Sequence, residues 1–317
     1  MSVVNPDVVW ISGTKGTFSW TSDAGAVWHP GSVAGAESFD FRAAHAISLD
    51  TVLLMVSAQD TALIYRTTDR GLSWKLQYRD VSKGAFLDAM AFFDSRHGLA
   101  LGDPVNGHFL VLETTDGGQS WAQISATGLP PSLTGEGAFA ASGTALITCG
   151  PRNAWFGTGG AAKSRVFHST DAGHTWSVAE TPIQAGVAAA GVFSLACRDT
   201  QHIIGVGGNY AKPDVAAVTV AFSNDGGVTW TASSPAPATG YLSGVAYLKP
   251  ADGQQLIAVG TEGTAFSLDS GRTWSRLDSL SLNTVITAGN GAAWAAGAHG
   301  RVAALSSFHP SVNVRVR

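Results

Sequence analysis

The amino-acid sequence predicts an all-β fold, a seven-bladed β-propeller with four-stranded antiparallel blades and six copies of one turn motif. Three observations lead to this prediction. The pattern Ser/Thr-x-Asp-x-Gly-x-x-Trp occurs six times at near-regular spacing. Short strand-like segments fill each interval between copies, and 38 glycines and 10 tryptophans supply turns and large apolar anchors. Four short strands in a repeat of roughly 45 residues are typical of a propeller blade.

The repeated pattern predicts a hairpin turn, which we name the clasp. Its tryptophans are separated by 46, 47, 55, 54 and 44 residues. Asp accepts hydrogen bonds from the backbone N–H groups that follow it, Gly tolerates a positive φ, and Trp begins the next strand as a buried anchor. Identical residues repeated in every blade cannot all line one site, so we expect a structural role for the six clasp aspartates, Asp23, Asp69, Asp116, Asp171, Asp225 and Asp269.

The strands follow in the same order in each repeat. In the second repeat, residues 41–47, 51–56, 62–66 and 73–78 are typical of strands A, B, C and D, from the innermost to the outermost. The first repeat retains only a short inner strand, and the seventh has no clasp. We expect residues 312–316 to complete the seventh sheet, because an open ring leaves unpaired strand edges. The whole chain, residues 1–317, is predicted to form a single propeller domain.

The clasps resemble the Asp-box, or BNR, repeat of sialidases and many other propellers. The chain resembles more narrowly the bacterial relatives of the photosystem II assembly and stability factor, a seven-bladed propeller family. This resemblance rests on residues 97–104, 135–142 and 207–210, together with Phe41 and Arg42. The resemblance implies a non-enzymatic, assembly-factor-like protein. Asn209 stands where the family is expected to carry Asp, so no charged role is carried over to that position.

Composition excludes several classes of function. Lys and Arg total 19 against 23 Asp and Glu, for a net charge of −4, so we expect no nucleic-acid partner. No stretch has the roughly 20 apolar residues that a membrane-spanning helix needs.

Because the first repeat begins abruptly, we expect an upstream segment with an export signal, and favour a periplasmic or extracellular location over a cytoplasmic one. A closed ring satisfies its own edges, which favours a monomer.

Cysteine and histidine give little sign of chemistry. Cys149 and Cys197 lie 48 residues apart. The alternatives are a single disulfide and two buried free thiols, of which the free thiols are favoured. The nine histidines are scattered without metal-ligand spacing. We expect no metal and no cofactor.

A binding site is expected on the face of the disc where the B–C turns and the D–A connections surround the channel mouth, since these loops differ from blade to blade. Glycines in the B–C segments are interpreted as turn residues. The candidates from these segments are Lys15, Asp60, Asp103, His108, Lys163, Tyr210, Glu262 and His299. The predicted inner strands add Arg42, Asp88, Glu136 and Tyr241. Arg42 is expected to pair with Asp88 or Glu136 and hold neighbouring blades together, with a ligand-binding role as the alternative.

Two functions remain open. The first is a binding or assembly module that holds a partner protein or a small ligand on the mouth loops. The second is a sialidase-like glycoside hydrolase, which needs an arginine cluster, a Tyr–Glu pair and an acid/base Asp. The sequence has five Tyr and five Glu, and only Arg42 stands at a predicted inner-strand start, so it favours the binding module.

Overall fold

A computed structural model describes residues 1–234, 239–249, 253–288, 292–305 and, as backbone, 315–316. These residues form seven four-stranded antiparallel sheets, which confirms the predicted propeller. In the described part of the chain, two short 3₁₀ turns, Ala126–Gly128 and Ala298–Gly300, interrupt the loops. Among the residues described, no helix has the length and apolarity to cross a bilayer.

Each blade is built from strands that are consecutive in the chain, from the inner strand A to the outer strand D. Blades 1 to 3 contain β1 (Ser2–Val3), β2 (Val9–Ser12), β3 (Thr17–Thr21), β4 (His29–Ser32), β5 (Phe41–Ala46), β6 (Val52–Ala58), β7 (Thr61–Thr67), β8 (Lys75–Asp80), β9 (Leu87–Phe92), β10 (Gly98–Val105), β11 (His108–Thr114) and β12 (Ala122–Gln123). Blades 4 and 5 contain β13 (Leu146–Cys149), β14 (Asn153–Gly157), β15 (Ser164–Ser169), β16 (Ser177–Thr181), β17 (Ala190–Cys197), β18 (Ile203–Asn209), β19 (Val220–Ser223) and β20 (Thr231–Ala232). Blades 6 and 7 contain β21 (Gly244–Tyr247), β22 (Leu256–Gly260), β23 (Gly263–Ser267), β24 (Ser275–Asp278), β25 (Thr284–Thr287), β26 (Ala293–Ala296), β27 (Val302–Leu305) and β28 (Arg315–Val316).

The ring closes between blades 7 and 1 by side-chain packing. Trp294 of β26 packs with Val9 of β2, and its indole N–H donates to the carbonyl of Pro6 at 3.2 Å. In blade 7, β28 pairs with β27, so the expected fourth strand forms at 315–316, while residues 312–314 lie outside the described residues. Among the described residues, no strand from the start of the chain pairs in the sheet of blade 7, and none from its end pairs in the sheet of blade 1.

The hydrophobic core lies between the blades. Each apolar cluster joins the facing sides of two neighbouring sheets, as in the cluster of Leu99 and Phe109 in blade 3 with Phe156 and Phe167 in blade 4. Trp155 of β14 is fully buried, and its indole N–H donates at 2.8 Å to the carbonyl of Gly226 in the next blade's clasp. Strand-B tryptophans therefore fasten neighbouring blades together.

The six clasp turns share one hydrogen-bond pattern. In the clasp of blade 4, the Ser169 hydroxyl donates to Asp171 Oδ1 at 2.8 Å, and the Gly173 N–H donates to the Ser169 hydroxyl at 2.8 Å. The Thr175 N–H also donates to Asp171 Oδ1 at 2.8 Å. The same three bonds recur in the other five clasps. Hydrogen bonds to these carboxylates lower their pKa, to about 2 for Asp69.

Several inner strands carry a β-bulge at the channel mouth. In blades 2, 3 and 5 the residue left out of the ladder is Arg42, Asp88 and Phe193, respectively. A bulge re-aims the side chain of the extra residue. These three inequivalent side chains therefore stand at equivalent places around the channel.

Close backbone packing explains three glycines that the sequence analysis interpreted as turn residues. Gly102, Gly207 and Gly260 lie in strand B. A Cβ at each would collide with a backbone carbonyl on, or just before, the inner strand of the same blade: those of Phe86, Gly191 and Tyr241. Close approach of another backbone, rather than turn geometry, requires glycine at these three positions.

The expectation of two free thiols is wrong, because Cys149 and Cys197 form a disulfide. They are the last residues of the inner strands of blades 4 and 5, with Cα atoms 6.4 Å apart. Their separation of 48 residues is close to one repeat, which places the two cysteines at equivalent points of adjacent blades. This spacing of about one repeat was the sequence signal from which the disulfide could have been predicted.

Candidate functional site

The central channel is crossed by residues 138–145, which we name the plug. Gly137 forms an isolated bridge with Gly159, and the regular ladder of blade 4 resumes only at Leu146 opposite Phe156. The residues between Gly137 and Leu146 leave the sheet of blade 4. They do so at the position where the inner strands of blades 2, 3 and 5 each have a single bulged residue. The plug is thus a long excursion at the start of the inner strand of blade 4.

The plug contacts inner strands on other sides of the channel. Thr144 Oγ1 lies 2.6 Å from Ser194 Oγ in blade 5. Thr284 Oγ1, in blade 7, donates to the carbonyl of Ser142 at 2.9 Å. A Cβ on Gly143 would lie 3.9 Å from the Cβ of Ala43 in blade 2. The plug therefore spans the channel and is held on both sides by hydrogen bonds.

A cavity of about 780 Å³, which we name the mouth pocket, lies at the channel mouth between blades 7, 1 and 2. The plug contributes Ala141 and Ser142 to its wall. Its polar lining includes Asp40, Arg42, Asn283, His299 and Arg301. A concave space with a few converging polar groups is the usual form of a ligand site.

Arg42 lies in the mouth pocket with its side chain about half exposed. Its guanidinium lies 3.5 Å from the Asp40 carboxylate, and Asp40 also accepts the Lys15 N–H at 3.1 Å. The predicted pairing of Arg42 with Asp88 or Glu136 is therefore wrong. The arginine pairs instead with a carboxylate two residues away, and a bulge places it beside the pocket.

His299 and Arg301 supply further hydrogen-bonding groups from the B–C turn of blade 7. His299 has φ +60°, a left-handed conformation that is uncommon for a residue with a side chain. Arg301 donates from Nη1 to the carbonyl of Ser281 at 3.1 Å, which fixes one edge of its guanidinium. The remaining N–H groups of Arg301 have no partner among the described residues.

Asp88 and Asp103 lie together in blade 3, and neither forms an ion pair with Arg42 among the described residues. Asp88 is 1% exposed, and neither of its carboxyl oxygens has a hydrogen-bond partner in the part of the chain that the structure describes. Burial, with a smaller contribution from Asp103, raises the pKa of Asp88 well above its usual value. Burial also raises the pKa of Asp103, although its Oδ1 accepts the Ala138 N–H of the plug at 3.2 Å.

Glu136 is the centre of a buried ion pair. Arg165, on β15, donates from Nε to Glu136 Oε1 at 2.8 Å and pairs with Oε2 through Nη2. The Thr158 hydroxyl and the Leu133 N–H also donate to this carboxylate, at 2.6 and 2.7 Å. Glu136 lies in the connection before the plug, not on an inner strand as predicted, because the inner strand of blade 4 begins only at Leu146. Its contacts indicate a structural role.

An aromatic cluster lies beside the plug on the blade 5 side. The ring of Phe193 stacks on Phe139 of the plug with centroids 3.7 Å apart, and it meets Tyr241 edge-on at 5.0 Å. Tyr210 covers this group at 5.9 Å from Phe193 and is 54% exposed. Tyr241 is buried, which raises its pKa, and it precedes β21 instead of lying on the inner strand as predicted.

The other predicted candidates do not line the mouth pocket. Lys163 pairs with Glu180 at 2.9 Å, and Glu262 accepts Arg276 through its backbone carbonyl at 2.8 Å. Asp60 accepts the Gly84 N–H, and His108 contacts the Leu129 carbonyl. Within the described ranges, no three His, Cys, Asp or Glu side chains are arranged to hold a metal ion.

Of the predicted candidates, Arg42 and His299 line the mouth pocket. Its polar lining also includes Asp40, Ser142, Asn283 and Arg301, which the sequence analysis did not name as candidates. Arg165, the partner of Glu136, was also missed. Arg301 follows a B–C glycine, as several predicted candidates do, and that position was a usable signal. Ser142 ends the 135–142 motif of the resemblance, but its place in the pocket wall depends on the plug.

No protein-family model matches the chain, and no curated protein sequence matches it. Solved structures do. One described as YCF48 bound to D1 peptide has a TM-score of 0.66 and 15% identity, covering 97% of this chain and 92% of that chain. YCF48 from Cyanidioschyzon merolae has a TM-score of 0.65 and 16% identity, over 98% and 94% of the two chains.

A Niastella koreensis GH74 enzyme has a TM-score of 0.67 and 13% identity. The match covers 98% of this chain and 52% of that enzyme, so the chain spans about half of the enzyme's length. Identities this low establish a shared fold. A propeller of this kind carries both a peptide-bound protein and glycoside hydrolases, so function has to be argued from the site.

Proposed function

We propose that this protein is a non-enzymatic binding protein that holds a segment of a partner protein in the mouth pocket. The mouth pocket itself carries the proposal: a cavity of about 780 Å³ with Arg42, His299 and Arg301 beside it. This volume is in the usual range for ligand sites, about 300–1,000 Å³.

The chemistry of the pocket suits a segment that offers hydrogen-bond acceptors. Two guanidinium groups and the Asn283 amide are donors, and they suit peptide carbonyls or a carboxylate. Asp40 is the one carboxylate side chain among the described lining residues, and it already accepts the Lys15 N–H and pairs with Arg42. The pocket is therefore biased toward an anionic or carbonyl-rich ligand.

The alternative, a glycoside hydrolase, has less support. Its chemistry needs two carboxyl groups on either side of the scissile bond, about 5–10 Å apart. The described part of the pocket supplies only Asp40. Asp88 is inaccessible, and Glu136 is held by Arg165 and two further donors. The likeness to the GH74 enzyme rests on the fold alone.

The structural likeness to a peptide-bound YCF48 supports a peptide as the ligand. We also propose that the chain is a relative of the photosystem II assembly factor family, on the motifs around Arg42 and residues 97–104. A monomer and a partner other than nucleic acid are proposed with it, since the formal charge is −4.

We propose an exported location, in an oxidising compartment. The Cys149–Cys197 disulfide supports it, because disulfides persist mainly outside the reducing cytosol.

The test is affinity capture from the native host with three forms of the protein. The Arg42→Ala/Arg301→Ala variant should lose a partner that the wild type retains. Arg70→Ala is the matched control, because Arg70 is an equally exposed arginine, paired with Asp50 at a clasp on the opposite face. Equal capture by all three forms would refute the proposal.

A parallel assay addresses catalysis. Fluorogenic sialosides and xyloglucan oligosaccharides are incubated with the wild type and with the double arginine variant. No turnover is expected. Turnover that the double variant abolishes would replace the binding function with the hydrolase alternative.

A further inference from the structure

The plug ends close to the disulfide that joins blades 4 and 5. Cys149 is the last residue of β13, four residues after the plug ends at Ala145, and it is bonded to Cys197 at the end of β17. Four residues of extended chain span about 13 Å. The sequence contains no other cysteine, so no second disulfide can form within the chain. Whatever fixes β13 therefore also fixes the segment from which the plug extends.

Blade 5 holds the plug along its inner strand, β17. Thr144 contacts this strand twice, because its Oγ1 lies 2.6 Å from Ser194 Oγ and its carbonyl accepts the Leu195 N–H at 2.9 Å. The Ser142 hydroxyl donates to the Phe193 carbonyl at 3.3 Å. These contacts follow β17 in order toward its last residue, which is the cysteine of the disulfide. The plug and the cross-link therefore belong to one seam between the two blades.

Elsewhere around the channel, the described contacts of the plug with other blades are single hydrogen bonds. The Ala138 N–H donates to Asp103 in blade 3 at 3.2 Å, and Thr284 in blade 7 donates to the Ser142 carbonyl at 2.9 Å. In its own blade, the inner strand pairs through four residues, Leu146–Cys149, against seven in blade 5. A hydrogen bond adds little net stability, because water competes for both partners. The seam with blade 5 is therefore the main support of the plug.

Both cysteines are half-buried and lie where the inner strands end on the clasp face of the disc. The turn after Cys149 is bonded to the clasp of its own blade, since the Ala172 N–H donates to the Arg152 carbonyl at 2.8 Å. Thiol–disulfide exchange depends on access to the sulfur atoms. Partial exposure on a face of the disc suits a disulfide whose redox state changes in the folded protein.

We propose that the Cys149–Cys197 disulfide is a redox latch for the plug. With the bond formed, residues 138–145 are locked across the channel, and with two free thiols the seam loosens and the plug opens. As the bond forms, the two thiols lose two protons and two electrons, and a disulfide-containing oxidant is reduced to a dithiol. A dithiol reductant reverses the step. The latch also affects the mouth pocket, because Ala141 and Ser142 form part of its wall.

The experiment measures backbone amide hydrogen exchange by mass spectrometry on the oxidised wild type, the wild type reduced with a phosphine, and the Cys149→Ser/Cys197→Ser variant. Peptides covering residues 138–145 should exchange at least about tenfold faster in both samples that lack the disulfide, because exchange reports local opening. Peptides covering residues 99–112, in blade 3, should not change. Asp171→Ala is the matched control, because it weakens the clasp of blade 4 and keeps the disulfide, so its plug should stay protected.

A thiol count establishes that reduction is complete. Unchanged exchange of residues 138–145 after complete reduction would overturn the latch. Faster exchange spread over all seven blades, or unfolding of both samples that lack the disulfide, would also overturn it, because the bond would then support the fold as a whole. If the serine variant alone does not fold, the reduced wild type decides. Every sample is measured without a partner, so a failed latch leaves the proposed function untouched.

Discussion

The clasp turns and the mouth-face loops follow opposite rules. The clasps repeat the same residues and hydrogen bonds, and their aspartates are accessible, charged and satisfied by donors. The mouth-face loops place a different side chain at each equivalent point, such as Arg42, Asp88 and Phe193 at the bulges. The residues that repeat in every blade therefore form the scaffold, whereas the candidate site lies where equivalent positions differ between blades.

The largest effect should come from a mouth-face residue that has a structural role. Glu136→Ala leaves the Arg165 guanidinium buried without its partner, so we expect a loss of about 3–5 kcal/mol in the free energy of unfolding. Urea denaturation followed by tryptophan fluorescence measures it. Glu180→Ala, which breaks the exposed pair with Lys163, is the control and should cost under about 1 kcal/mol. Similar small losses in both variants would show that Glu136 is not part of the scaffold.

A clasp substitution should affect stability and leave binding intact. Asp171→Ala removes the acceptor for Ser169 and Thr175, and we expect a loss of about 1–2 kcal/mol in the free energy of unfolding. Capture of the partner should not change at a temperature where the variant is folded. The reverse pattern is expected of Arg42→Ala. Loss of capture in folded Asp171→Ala would break the distinction between the two regions.

The smallest effect should be a pH dependence of stability that distinguishes the buried Asp88 from the clasp aspartates. The folded pKa of Asp88 is raised, so its favourable contribution is present below its unfolded pKa and is lost as pH rises toward the folded value. Asp88→Asn should therefore stabilise the protein at pH 7 and lose that advantage in acid. The gain should be only about 1 kcal/mol, because the asparagine amide is also buried without a partner.

The clasp aspartates have the opposite sign. The folded pKa of Asp116 is lowered to about 2, so its contribution is present above the unfolded value and is lost as pH falls toward 2. Asp116→Asn should be destabilising at pH 7 and neutral in strong acid. Thermal melts of both asparagine variants between about pH 2 and pH 8 provide the measurement. Parallel pH profiles would contradict the assignment of Asp88 as a buried, unpartnered acid.

The fold was predictable because the clasp recurs in the sequence and each copy carries its own physical explanation. The site was less predictable. A single bulged residue changes which side chain reaches the channel mouth, and alternation of apolar residues does not reveal it, so Phe193 was not among the candidates. Glu136 and Tyr241 lie in connections before the inner strands on which they were predicted. Arg42 was recognised as a candidate, but its partner was not, because Asp40 lies in a connection whose path is set by packing. The contribution of Ser142 depends on the plug, where the inner strands of blades 2, 3 and 5 have only a single bulged residue.

The plug has a consequence for how any occupant reaches the protein. Residues 138–145 lie across the axis, so the channel is closed by the plug. A polypeptide therefore cannot pass through the disc from one face to the other. Whatever enters the mouth has to leave by the same opening. A long polypeptide could therefore dock only by its end or by a bend, never as a strand passing from one side to the other.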